Sequence, residues 1–308
     1  MDEFGVIERF FRHTPQAESV LLGPGDDAAV IKPTPGMGLA MSMDTLLEGR
    51  HFPVGFPAEY VGWRSLAVNL SDLAAMGARP RWALLSLSLP QVDEAWLEGF
   101  CRGFFTLAEQ MGVSLVGGDT VKGPLSITVQ VTGEVPATRA LRRSGARPGD
   151  KLCITGPVGL AAAGLANWQA GITTGALVQA FAQPIPQCQT SLRLQGLATS
   201  AIDISDGLLA DLQHVLTASG GIGADVHVEA LPVTSEFLSW GDAAQRQQVQ
   251  LYGGDDYQLL FTLLSHVNVP RDCVQIGRIT SRPMIRVQDY QGQWHDNMAI
   301  RGWDHFTS

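Results

Sequence analysis

Apolar residues recur at helical spacing over residues 3–13, where Phe4, Ile7 and Phe11 predict a short amphipathic helix. Strand-like runs follow at 28–31 and 39–43. Residues 58–76 predict a longer helix whose apolar face carries Tyr60, Trp63, Ala67, Leu70 and Ala74. Ser65, Asn69 and Asp72 recur on a second, polar stripe of that helix, with Asn69 as a support for Asp72. Residues 82–89 alternate as a strand does, and 92–111 predict a helix with Trp96, Phe100, Phe104, Leu107 and Met111 on one side. Strands at 113–116 and 125–135 make the first half mixed α/β.

Residues 137–150 concentrate Arg, Gly and Pro between two strands, the composition of an interdomain connection. The second half opens with a strand at 151–155 and a turn at 156–159, then helical sequence from about Leu160 through Leu197. A short strand at 201–204 runs into a helix over 207–219, and strands at 258–263, 274–279 and 284–288 complete the pattern. No repeat of solenoid or propeller length is present. Residues 152–192 carry no charge and no histidine, yet Gly156, Pro157, Gly159, Asn167, Gln169, Gly171 and Pro184 interrupt them, so a membrane span is not expected.

Length alters this picture first: 308 residues suffice for two domains, each with its own core. A net charge of −9 gives no basic footprint for nucleic acid. The four cysteines stand far apart without a CxxC pair, which fits a reducing compartment. The acidic N-terminus lacks an apolar signal core, so a cytoplasmic protein is expected. Glycine is in excess, 34 of 308, which points to many tight backbone turns.

The candidate chemistry lies in where the aspartates fall. They end predicted strands or sit in glycine turns: Asp26 and Asp27 after Gly23-Pro24-Gly25, Asp44 after Ser42-Met43, Asp119 after Gly117-Gly118, Asp203 and Asp206 around Ile204-Ser205, and Asp255 and Asp256 after Gly253-Gly254. Any one such pair is ordinary turn chemistry; five in one chain are not. Two carboxylates about 4 Å apart repel by roughly 4 kcal/mol at an effective dielectric of 20, so a convergent set needs cations. All-oxygen donors suit Mg²⁺ or Ca²⁺ rather than zinc, and Mg²⁺ characteristically completes its shell with water and substrate phosphate. The chain has no GxxxxGK[ST], no HRD or DFG, no GxGxxG after a strand and no nucleophile elbow, which argues against P-loop, protein-kinase, Rossmann and hydrolase classes.

Taken in order, GPGDDAAV (23–30), SMDTLLEGRHF (42–52), AVNLSDLAAMGARP (67–80), VGGDT (116–120), RSGARPGD (143–150), AIDISDGLLADL (201–212) and GGDDYQLLFT (253–262) resemble the thiamine-monophosphate kinase family of the aminoimidazole-ribonucleotide synthetase-like superfamily. The resemblance runs from about Glu3 to the terminal GWDHF. It implies ATP-dependent phosphorylation of thiamine monophosphate to thiamine pyrophosphate, several Mg²⁺ ions, and no nucleic-acid or membrane partner. The implied fold is mixed α/β in two domains. Residues 1–137 would bind ATP and metal and pair their sheet with a second copy into a β-barrel, giving a homodimer. Residues 138–308 would form a mixed α/β sandwich closing the active-site cleft.

Carried over by motif, the metal ligands are Asp27, Ser42, Asp44, Asp72, Asp119, Asp203 and Asp206, with Asp72, Asp44 and Asp119 as the catalytic acids. ATP would meet Gly118, Asp119, Arg143 and Ser205, and the thiamine substrate His51, Asp255 and Trp303. Two positions depart from the family: Met43 stands where Thr is usual, and Asp255 stands where Glu is usual, one methylene shorter. A phosphate acceptor is already ionised near neutral pH, so direct in-line attack needs positioning and charge neutralisation rather than a base. The competing assignments are another ATP-dependent synthetase of the superfamily and a non-catalytic nucleotide- or metal-binding module. A selenophosphate synthetase-like protein would carry a reactive Cys near its start, whereas the first here is Cys101. A hydrogenase-maturation relative would end in a cysteine, whereas this sequence ends His305-Phe306-Thr307-Ser308.

Overall fold

The structure is a computed structural model that describes residues 2–12 and 16–296. The chain forms two compact units, Met1–Leu73 with Ala78–Thr138, and Ala74–Gly77 with Arg139–Ser308. Both are mixed α/β.

In the first unit, α1 (Glu3–Val6) continues into a π-helical turn at Ile7–Phe11, and β1 (Val20–Leu22) pairs with β2 (Val30–Ile31). The main sheet comprises β3 (Gly38–Leu47), β4 (Arg79–Leu89), β5 (Ser114–Lys122) and β6 (Ser126–Val135), in the order β3-β6-β4-β5. Its one parallel pair is β4 with β5. Two long helices, α2 (Ala58–Ala75) and α3 (Glu94–Met111), supply the other layer. Leu66, Leu70 and Leu73 of α2, Phe100, Phe104 and Leu107 of α3, and Leu87, Ile127, Val129 and Val131 of the sheet form the buried interior. Asp93 caps α3 by accepting from the Trp96 N–H, and Gly112 ends it at φ +67°. The helices cross so closely that a Cβ at Gly62 would collide with the Phe100 carbonyl, and one at Gly103 with the Glu59 carbonyl.

Two expectations for this unit change. The strand expected at 39–43 runs on to Leu47, because its alternate residues keep one face against the interior while Met41 and Met43 stay exposed. The Gly117–Thr120 segment is no turn but the middle of β5, where the register with β4 shifts between Ala83 and Leu84. Glycine is required there, since a Cβ at Gly118 would collide with the Leu85 carbonyl.

The second unit carries β7 (Lys151–Ile154), α4 (Leu160–Gln169), α5 (Ala176–Ala182), α6 (Cys188–Leu194), β8 (Ala198–Asp203), α7 (Leu208–Ala218), β9 (Gly223–His227), α8 (Ser235–Leu238), α9 (Ala243–Tyr252), β10 (Leu259–Leu263), β11 (Val274–Thr280), β12 (Ile285–Gln288) and β13 (Trp294–Asp296). Its sheet runs β13-β12-β9-β11-β7-β10-β8, with only β9 and β12 parallel. Leu152, Ile154, Ile202, Leu208, Leu212, Val226, Leu260 and Ile276 belong to its core. The connection expected at 137–150 contains the boundary between the units, at Thr138/Arg139, and from Arg139 on it packs into this unit. Leu141 and Ala146 are buried, the Arg142 carbonyl accepts from Ala201 N–H, and buried Asp150 accepts from Arg147 N–H and Thr199 Oγ1. The helix α9 was not foreseen, because its Gln-rich stretch lacks an apolar stripe; a capping box from Asp242 and Gln245 starts it. Among the described residues no helix is long and apolar enough to cross a membrane.

Candidate active site

The acids fall into two groups, one in each unit. In the first unit the polar stripe of α2 meets the edge strand β3. Ser42 Oγ donates to Asp72 Oδ2 at 2.5 Å, and the Asp44 N–H donates to Asn69 Oδ1 at 2.9 Å. The side chain of Asn69, fully buried, is fixed by donating from Nδ2 to the Ser65 carbonyl at 3.0 Å. Asn69 therefore holds the strand at Asp44 and not, as the sequence implied, Asp72. Ser42 and Asp44 are two residues apart on a strand and share its α2-facing side. Thus Ser42, Asp44 and Asp72 come together from two elements 25 or more positions apart in sequence.

Asp119 does not join them. It pairs with Ser86, in the row that continues through Thr128 to Thr45, whereas Asp44 pairs with Val129 in the neighbouring row. Successive rows face opposite sides of a sheet, and β3 and β5 are separated by three strand spacings, about 14 Å. One cation touching Asp44 therefore does not touch Asp119 of the same chain. Asp27 lies in the exposed turn before β2, its N–H donating to Asp26 Oδ1 at 2.9 Å. His51 closes the turn after β3: its Nδ1 accepts from Leu47 N–H at 3.0 Å, which leaves Nε2 to carry the ring proton.

In the second unit the loop after β8 and the loop before β10 are tied to each other by their backbones. Asp255 N–H donates to the Ser205 carbonyl at 2.9 Å, Tyr257 N–H to the Ile204 carbonyl at 2.9 Å, and Ile204 N–H to the Gln258 carbonyl at 2.7 Å. This brings Asp203, Ser205, Asp206 and Asp255 into one neighbourhood. Asp255 and Tyr257 both adopt left-handed backbone, φ 71° and 51°, unusual for non-glycine residues. The Tyr257 hydroxyl donates to Asp255 Oδ1 at 2.9 Å and so orients it. Arg143 is exposed, and Trp303 lies outside the described residues.

Two further carboxylates, not singled out in the sequence, organise these loops. Asp211, 2% exposed, accepts on Oδ2 from the N–H groups of Ser205, Asp206 and Gly207. Burial pushes its pKa up to about 8, with Asp203 and Asp206 adding to the rise. Asp256 accepts from the Gly159 and Ala161 N–H groups at the start of α4, and burial pushes it up to about 7. A signal for Asp211 existed: an acid in the first turn of a helix that begins Asp-Gly-Leu-Leu. Asp256 had none beyond its place beside Asp255.

The donors gathered here are hydroxyl and carboxylate oxygens, the set that a hard divalent cation takes. Asp206, Asp211 and His214 also offer ligand atoms within 4.8 Å of one another. The donor chemistry fits Mg²⁺. Thiol chemistry is disfavoured: burial holds Cys101, Cys153 and Cys188 up to about 12 and Cys273 to about 11.

The family model of the AIR synthase related protein N-terminal domain matches residues 25–135, and that of the C-terminal domain matches 147–289. A thiamine-monophosphate kinase of Salmonella typhimurium is 40% identical, covering 99% of this chain and 98% of that relative. The crystal structure of thiamine-monophosphate kinase from Stenotrophomonas maltophilia K279a has a TM-score of 0.83 at 39% identity, over 93% of this chain and 95% of that one. AaThiL complexed with AMPPCP and TMP has a TM-score of 0.80 at 32% identity, over 91% of each chain. With full-length similarity and both domain models matched, the chain belongs to the thiamine-monophosphate kinase family of AIR synthase related proteins.

Proposed function

We propose that the chain catalyses ATP-dependent phosphorylation of thiamine monophosphate, giving thiamine pyrophosphate and ADP. The observation that carries this is full-length similarity, at 40% identity, to a kinase named for that reaction. The complex of AaThiL with AMPPCP and TMP, an ATP analogue and the acceptor, supports the same pair of substrates.

In this reaction a phosphate oxygen of thiamine monophosphate bonds to the γ-phosphorus in line, and the bond from that phosphorus to the β-bridging oxygen breaks, releasing ADP. No residue must remove a proton, because the monoester's second pKa is about 6. No phospho-enzyme is required. Ser42, Asp44 and Asp72, and Asp203 and Asp206, would hold Mg²⁺, which would supply the charge neutralisation that two polyanions need. The protein's part is to hold those oxygens in place: Asn69 fixes the strand at Asp44, and the Asp72 carboxylate accepts from Ser42. We assign Asp27 and Asp119 to further metal contacts, Gly118, Asp119, Arg143 and Ser205 to ATP, and His51, Asp255 and Trp303 to the thiamine substrate. Residues 1–137 take the ATP, metal and dimer roles, and 138–308 complete the site. Four free cysteines accord with a cytoplasmic enzyme.

A homodimer is part of the proposal. The face of the main sheet turned away from Ser42 exposes Leu39, Met41, Met43 and Leu47 of β3, Leu84 of β4 and Val121 of β5, with both methionines 65% exposed. Two long edge strands and an apolar open face suit closure against a second copy into a barrel.

ADP release with ATP and Mg²⁺, with the product identified by mass, tests the function. Thiamine pyrophosphate should form from thiamine monophosphate, not from free thiamine, and EDTA should abolish it. An amidine product, or nucleotide binding without turnover, would refute the assignment.

A further inference from the structure

We infer that Asp211 is the positioning residue of the second acidic group, its buried carboxylate gathering the N–H groups of Ser205, Asp206 and Gly207 and fixing the turn that carries Ser205 and Asp206. This rests on the proposed function only in giving those two residues a nucleotide or metal to meet.

Three successive backbone N–H groups in a turn need acceptors if the turn is to hold its shape. Here they belong to Ser205, Asp206 and Gly207, in the turn that leads into α7, an 11-residue helix whose N-cap is Gly207 at φ 117°. Asp211, in the first turn of the same helix, receives all three on one oxygen, at 3.0, 3.1 and 3.2 Å. The protein thereby meets the donors of this turn with an acceptor oxygen of its own.

Two consequences follow from that placement. The N–H groups of residues 205–207 are taken within the protein and are not free to meet a ligand. Three donors also occupy Asp211 Oδ2, which makes that oxygen an organiser of the turn, and a carboxyl oxygen of Asp211 lies within 4.8 Å of ligand atoms of Asp206 and His214. The same turn accepts from Asp255 N–H through the Ser205 carbonyl, so an error at Asp211 reaches the substrate-side residue too.

The experiment compares Asp211→Ala, Asp211→Asn and Asp211→Glu with the unaltered protein. Asp225→Asn is the control; Asp225 is an equally buried carboxylate paired with Arg286 and remote in sequence from the site. Hydrogen exchange over residues 204–208 is read without metal, AMPPCP affinity by calorimetry at fixed Mg²⁺, and ADP release across a Mg²⁺ series. In Asp211→Ala, exchange should quicken, and the Mg²⁺ needed for half-maximal rate should rise, each by about tenfold or more. KM for thiamine monophosphate should move by less than about twofold, because that contact is one step removed. Asparagine keeps an acceptor oxygen and should restore most of the behaviour, whereas glutamate keeps the carboxyl group but displaces it and should not. Asp225→Asn should lower Tm and leave the Mg²⁺ dependence alone. If alanine does not fold, the asparagine and glutamate pair decides.

Unchanged exchange and Mg²⁺ dependence in a folded Asp211→Ala would overturn the inference, as would asparagine failing while glutamate succeeds, which marks a direct ligand. Absence of thiamine pyrophosphate from the unaltered protein would defeat the functional assignment, yet the exchange measurement would still judge Asp211.

Discussion

At the scale of single residues, the second unit depends on carboxylates that are buried rather than presented. Asp256 is the clearer case, because no proposed metal ligand touches it. Its two oxygens accept from Gly159 and Ala161 N–H, while burial, with a contribution from Asp255, holds its pKa at about 7 against an ordinary 3.8. Between those values the folded chain holds one proton more than the unfolded chain. The stabilisation is complete below the unfolded pKa and is lost as pH rises through the folded one. Urea unfolding of the unaltered protein should therefore show a component falling by about 1 kcal/mol per pH unit between about pH 4 and 7. Asp256→Asn should lack that component, so the difference between the two should change with pH; parallel profiles would contradict the account. Neighbouring polar residues were legible unevenly. The stripe Ser65, Asn69 and Asp72 was visible as spacing, but which carbonyl or N–H each would meet was not, and Asn69 proved to hold Asp44.

At the scale of elements, α2 and α3 show how close packing places the first acidic group. Gly62 and Gly103 let the two helix backbones meet, and Asp72 and Asn69 ride on α2 toward β3. Gly103→Ala drives a methyl group into the Glu59 carbonyl and should cost about 1–3 kcal/mol in urea unfolding. The same substitution at Gly112, whose Cβ meets open space, should cost less and act only through its φ of +67°. Equal losses at the two sites would show that the crossing is not tight. Periodicity marked both helices well, since eighteen-residue amphipathic patterns are long enough to be distinctive. It failed at Gly117–Thr120, where two glycines suggested a turn. They pair with Leu84 and Leu85 in the ladder instead, just after a bulge at Val116, and only the pairing partner reveals that.

For the whole molecule, the order β3-β6-β4-β5 gives neither edge strand a second strand partner within this sheet, and one apolar face is exposed among the described residues. The proposed dimer predicts twice the chain mass in sedimentation equilibrium at micromolar concentration. Charges placed on the open face by Met41→Glu with Leu84→Glu should shift the protein to monomer while its far-ultraviolet circular dichroism persists. A monomeric unaltered protein would remove the barrel from the proposal. The dimer also bears on Asp119, which stands three strands from Asp44 and on the opposite face.

The sequence by itself determined most helices and strands, the two-part organisation, the oxygen-donor chemistry and the family, because each depends on local periodicity or contiguous motifs. Tertiary structure decided which acids share a neighbourhood. Ser42, Asp44 and Asp72 meet because an edge strand lies against one stripe of a helix, and Asp203, Ser205, Asp206 and Asp255 meet because two loops share backbone hydrogen bonds. It alone showed Asp119 turned the other way and Asp211 turned inward. Those outcomes depend on strand register and on pairing between residues far apart in the chain, and a shift of one residue in register would reverse the face of every side chain concerned.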